Sequence, residues 1–139
     1  MDIRWTNRLT NFQKALHQLE KGLFTYPDLT DLEQDGVLQR FEFTVELAWK
    51  TLQDYFAEVE GYTDIKGPRT VIKQAIQNQL VPDGHGWLQL LASRNLLSHV
   101  YDEAESRQIL DRVQDTYLAL LQQLNQRLTA KHEHGSAPH

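Results

Sequence analysis

The strongest pattern in the chain is a row of apolar residues, Phe41, Val45, Ala48, Trp49, Leu52, Tyr55, Phe56 and Val59, returning at steps of three and four. That spacing places them on one side of a helix predicted from about Leu32 to Glu60. No stretch of the chain alternates apolar and polar residues as a half-buried strand must. Phe43 and Leu47 fall on the opposite side of the same helix, flanked by Lys50 and Asp54. They require a second partner, either a neighbouring helix or another subunit.

The other long segments carry the same period. Trp5, Leu9, Phe12, Leu16, Leu19 and Leu23 form the stripe of a first helix that Gly22 and Pro27 bracket. Gly61 stops the second helix, and Gly67-Pro68 opens a short one over Thr70 to Leu80, proline being suited to a first helical turn. Pro82-Asp83-Gly84 is a turn, and His85, between two glycines, reads as a loop residue. Trp87 to Val100 is the next helix. Asp102-Glu103-Ala104-Glu105 has capping-box spacing and begins a last long helix carrying Ile109, Val113, Tyr117, Leu120, Leu121, Leu124 and Leu128. The expected fold is all-α, an antiparallel bundle of four long helices and one short helix. It fills one domain over residues 1–130, with 131–139 as a disordered tail. The histidines there, His132, His134 and His139, receive no function.

With 139 residues and a net charge of −5, the chain is a poor generic coat for nucleic acid or an anionic membrane, because phosphate binding needs clustered Lys and Arg. A nucleic acid must then be met at one small cationic site. No cysteine occurs, which removes thiolate chemistry and Cys-based metal sites. The first residues lack the apolar core of a secretory signal, and no apolar run is long enough to span a bilayer. A cytoplasmic location without membrane association is expected.

The chemistry concentrates in Ser93-Arg94-Asn95-Leu96-Leu97-Ser98-His99-Val100-Tyr101-Asp102. On a continuous helix Arg94, Asn95, Ser98 and His99 share an arc of about 140°, with Leu96, Leu97 and Val100 opposite. Arginine offers a planar fork of donors to phosphate oxygens, and histidine takes and gives a proton near neutrality. The pair suits attack of a ribose 2′-hydroxyl on its own phosphate without a metal or cofactor. A structural arginine beside a helix-terminal histidine at the dipole would look the same. One Arg94–His99 pair converges poorly on one phosphate; two copies related by a dyad would bring two pairs around one cleft. Trp5, Trp49 and Trp87 read as core, and Glu42 and Glu46 as a solvated helix edge.

Arg94-Asn95-Leu96-Leu97-Ser98-His99-Val100-Tyr101 resembles the Arg-x4-His-x-Tyr signature of HEPN proteins. The resemblance is to the group paired with minimal nucleotidyltransferases in prokaryotic toxin–antitoxin modules, also called nucleotidyltransferase substrate binding proteins. It extends to Arg40-Phe41-Glu42-Phe43-Thr44-Val45-Glu46-Leu47-Ala48-Trp49-Lys50-Thr51-Leu52 and to Gly67-Pro68-Arg69, and covers roughly Trp5 to Leu128. It implies a helical homodimer with a metal-independent ribonuclease site. Arg94 and His99 would be the catalytic pair, supported by Asn95 and Ser98. Tyr101 matches the tyrosine that the partner nucleotidyltransferase modifies with AMP. The alternative is a non-catalytic substrate-binding or adaptor subunit of that nucleotidyltransferase.

Overall fold

A computed structural model describes residues 3–99 and 102–136. Its helices are α1 (Ile3–Gly22), α2 (Asp31–Glu58), α3 (Pro68–Gln77), α4 (Gly84–Leu96), α5 (Glu103–Arg112) and α6 (Leu118–Ser136). A 3-10 turn over Leu97–His99 follows α4, and a π-helical turn over Val113–Tyr117 joins α5 to α6. The all-α bundle expected from the periodicity is the observed architecture, the four long helices being α1, α2, α4 and the α5–α6 rod. Among the described residues no helix is long and apolar enough to cross a membrane.

The antiparallel pair α1–α2 is the frame. Thr30 caps α2 with a reciprocal capping box to Glu33, satisfying two otherwise unpaired backbone donors. Near the far end of α2, Trp5 packs edge-on against Tyr55 at 5.1 Å and its backbone N–H donates to Glu58. Arg8 Nε donates to the buried Asp54 carboxylate at 2.8 Å. At the opposite end Arg40 reaches the Gln18 carbonyl at 2.7 Å. A left-handed Gly61 (φ +77°) and a Tyr62 N–H bonded to the Phe56 carbonyl close α2, as expected at a helix C-terminus.

α6 lies along the other side of α1, where Gln13 donates to Asn125 and Thr129 and Gln122 donates to Glu20. The helix continues through Lys131, where the sequence predicts a disordered tail, to Ser136. His132 sets its ring edge-on to Trp5 at 5.7 Å.

Phe43 and Leu47 part company. Leu47 is buried, with α1 as its neighbouring helix, whereas Phe43 is 60% exposed. His85 lies in the first turn of α4, behind an Asp83 cap, rather than in a loop. Asp102 caps α5 as predicted, but accepts from the Ala104 N–H.

The last helix is not continuous. The Leu118 N–H reaches back to the Val113 carbonyl, five residues away. The stripe residues Ile109, Val113 and Tyr117 are spaced by two steps of four, which drift by about 80° on an ideal α-helix. The wider π turn absorbs that drift, and all three are buried. Tyr117 stacks on Phe41 at 5.8 Å and its hydroxyl meets the buried Ser93 hydroxyl at 2.7 Å.

Ser93→Ala leaves that phenol without its close partner and should cost about 1 kcal/mol, lowering Tm by about 4 °C in a thermal melt. Glu103 is hydrogen-bonded to Asp31, which holds its carboxyl above the usual range, with repulsion from Asp31 and Asp35 adding to the effect. A raised folded pKa contributes stability at low pH that is lost as pH rises through it. Glu103→Gln should therefore raise Tm at pH 7 relative to the parent, and the advantage should shrink toward pH 4.

Candidate functional site

Arg94 is in the last turn of α4, one residue beyond Ser93. The buried Ser93–Tyr117 hydrogen bond fixes that turn against the π turn and, through Phe41, against α2. The Arg94 side chain is 29% exposed, with Nη2 3.8 Å from Glu46 Oε2. Its Nε is buried with no hydrogen-bond partner among the described residues.

Glu46 is the hub. Its Oε2 accepts from the Trp49 indole N–H at 3.1 Å, and its Oε1 lies 3.3 Å from Lys50 Nζ. Lys50 in turn sits 5.8 Å from the Trp49 ring centroid, within cation–π range. Two expectations change here. Glu46 is half-buried and paired rather than a solvated edge, and Trp49 is only partly buried, packed against the edge of the core that holds Trp5 and Trp87. The signal is present in the spacing, since Glu46, Trp49 and Lys50 stand at i, i+3 and i+4 on one helix, where side chains touch.

These groups border a cavity of about 330 Å³ between α2, the start of α3 and the end of α4. Trp49, Val45 and Leu91 give it an apolar wall, and Glu46, Arg69, Arg94 and Asn95 its polar groups. Arg69 arrives because Gly67, at φ +87°, turns the chain into Pro68 at the first position of α3. The Gly67 N–H donates to Gln53, tying that turn to α2.

The rest of the predicted constellation is arranged differently from a continuous helix. The sequence predicts one α-helix over Trp87 to Val100, but α4 ends at Leu96 and tightens into the 3-10 turn. Leu96, assigned to the core side, is 46% exposed, because it lies on the side of α4 opposite the buried Trp87, Leu90 and Leu91. From Arg94, three steps of about 100° and two of about 120° set His99 about 180° away rather than about 140°. Ser98 and His99 are exposed on the 3-10 turn, and Asn95 is exposed beside the cavity. The structure thus brings Arg94 and Asn95 together with Glu46, and leaves His99 outside the residues that line the cavity. Tyr101 lies outside the described residues.

Comparison with known proteins agrees with this architecture. A family model described as nucleotidyltransferase substrate binding protein like matches residues 7–130. A Haemophilus influenzae protein named "Probable ribonuclease HepT" is 29% identical over 98 residues, 66% of this chain and 67% of that protein. A crystal structure of a Thermus thermophilus protein is 35% identical with a TM-score of 0.77, covering 84% of this chain and 98% of that one. A Haemophilus influenzae structure, described as revealing the fold of a substrate binding domain of a nucleotidyltransferase, superposes with a TM-score of 0.76 over 87% of this chain and 98% of its own. At 23% identity that last likeness is one of fold. With its match running from the first turns of α1 well into α6, the chain belongs to the nucleotidyltransferase substrate binding protein-like family.

Proposed function

We propose that this protein is a metal-independent endoribonuclease, the toxin of a module whose antitoxin is a minimal nucleotidyltransferase. The observation that carries the reading is the end of α4: a guanidinium held at a cavity by Glu46, with an exposed imidazole just beyond it. The name of the Haemophilus influenzae relative supports the same chemistry. In this mechanism the His99 imidazole takes the proton of a ribose 2′-hydroxyl. The freed oxygen attacks the adjacent phosphorus, and the 5′-oxygen of the next nucleotide leaves. The products are a 2′,3′-cyclic phosphate and a 5′-hydroxyl end. Arg94 stabilises the charge that gathers on the non-bridging oxygens, and Asn95 and Ser98 support the site as hydrogen-bond donors.

Arg94 and His99 diverge around the helix axis, so a single copy does not close both groups on one linkage. A homodimer pairing the two α4 ends supplies a guanidinium from one protomer and an imidazole from the other. One histidine then serves as base, and its counterpart, protonated, returns a proton to the leaving oxygen.

Silencing falls to Tyr101. AMP joined to that phenol through a phosphodiester adds a negative charge and a purine two residues after His99 in the chain, where they compete with substrate phosphate for the arginines.

A second reading, a non-catalytic substrate-binding or adaptor subunit of a nucleotidyltransferase, is favoured by the family's description and by the cavity itself. Inertness toward RNA combined with tight association with that enzyme would select it.

Purified protein should cleave total RNA in the presence of EDTA, leaving cyclic phosphate ends, and His99→Ala should lose at least about a hundredfold in rate, the lower range for general acid–base catalysis. Cleavage that survives His99→Ala, or that stops on chelation, removes this mechanism. Incubation with the partner nucleotidyltransferase and ATP should add AMP to the intact mass, and Tyr101→Phe should abolish the gain. An AMP adduct on the phenylalanine variant would place the modification elsewhere.

A further inference from the structure

We propose that the outward stripe of α2 is a seam for a second copy of this chain, with Phe43 of each copy packing over Gly36 of the other and Leu32 entering the other's groove between α1 and α2. The seam rests on the homodimer of the reading above but not on its chemistry.

At about 100° per residue, Leu32, Gly36, Phe43 and Leu47 fall within an arc of about 60°. That arc is opposite the buried Phe41, Val45, Leu52 and Phe56. Two members of the stripe project: Leu32 is 81% exposed and Phe43 60%. The other two are hollows. Gly36 lies inside a 28-residue helix, where glycine is a poorer choice than alanine. A Cβ there would meet nothing within 4 Å, so packing inside one copy does not call for the missing side chain, whereas close approach of another helix does. Leu47 and Ala15 floor a groove of about 420 Å³ between α1 and α2.

The spacing makes this stripe complementary to itself. Residues 36 and 43, and residues 32 and 47, are centred on the same point, between Gln39 and Arg40. An antiparallel pair of α2 helices about a dyad at that point sets Phe43 over Gly36 of the other copy and Leu32 over its Leu47, both in one register.

Charge follows the same register. Leu32 stands between the exposed Asp31 and Glu33, and the groove it would enter is lined by Lys14 and Arg40. Opposite signs then meet around the apolar contact. Arg40 is drawn toward α1 by the Gln18 carbonyl at 2.7 Å, which keeps its charge off the dyad. Rotation about such a dyad leaves both Glu46 carboxylates, each with its Arg94, on the same side of the paired helices. The two α4 ends then open toward one face of the dimer, as a composite site needs.

Light scattering on the full chain across a range of concentrations tests the seam. The parent should be a dimer or larger, and Phe43→Glu and Gly36→Gln should each halve the mass or weaken association about tenfold or more. Gly36→Gln is the sharper probe, because it puts a better helix former at an open position and should keep the parent's helical circular dichroism. Phe24→Glu, at a phenylalanine 88% exposed and off the stripe, should leave the mass unchanged. A monomeric parent, or a Gly36→Gln protein that associates like the parent, overturns the seam; so does a parent that is monomeric alone and pairs only with a different protein. A dimer split by Phe43→Glu in a protein inert toward RNA upholds the seam and removes the ribonuclease reading instead. RNA cleavage by a protein whose mass Phe43→Glu leaves unchanged removes the seam alone.

Discussion

Two buried hydroxyls meeting at 2.7 Å, Ser93 and Tyr117, hold the end of α4 against the rest of the bundle. α4 is short and its polar face is turned to solvent, so apolar burial alone would fix its C-terminal end weakly. The hydrogen bond locks that end to the π turn, and the stack of Tyr117 on Phe41 locks the π turn to α2. Arg94 follows Ser93 directly and is thereby delivered beside Glu46. In a low-dielectric interior such a bond is strong when made and costly when half-made, which gives the α4 terminus one defined position rather than a range.

The cavity shows how an acidic protein can present a cationic place. Arg69 and Arg94 line it from two separate helices, and Glu46 pairs with Arg94 and with Lys50, which lies outside the lining on α2. A carboxylate among guanidinium groups lowers their mutual repulsion.

Much of the architecture was legible from periodicity, because burying an apolar stripe is what decides where these helices lie. The stripes from Trp5 to Leu23 and, Trp49 excepted, from Phe41 to Phe56 are buried as their spacing requires. Local breaks in the helices were not legible. α4 gives way to a 3-10 turn after Leu96, and nothing in Leu97-Ser98-His99 announces tighter winding. The π turn was hidden for the opposite reason: steps of four between Ile109, Val113 and Tyr117 look like ordinary helical spacing. Arg94 stood out by residue type, whereas Glu46 and Trp49 did not, since a glutamate on a helix edge and a tryptophan in a stripe usually have structural roles. Only the tertiary contact between α2 and α4 distinguishes them.

The π turn also lets two alignments coexist on one rod. α5 matches its buried residues to α2, while α6 matches Asn125 and Thr129 to Gln13 on α1. The surplus residue is taken up inside the wider turn, so the halves on either side keep nearly the azimuths of one continuous helix. Removing a single residue from Val113–Tyr117 would restore an unbroken α-helix with both alignments almost unchanged.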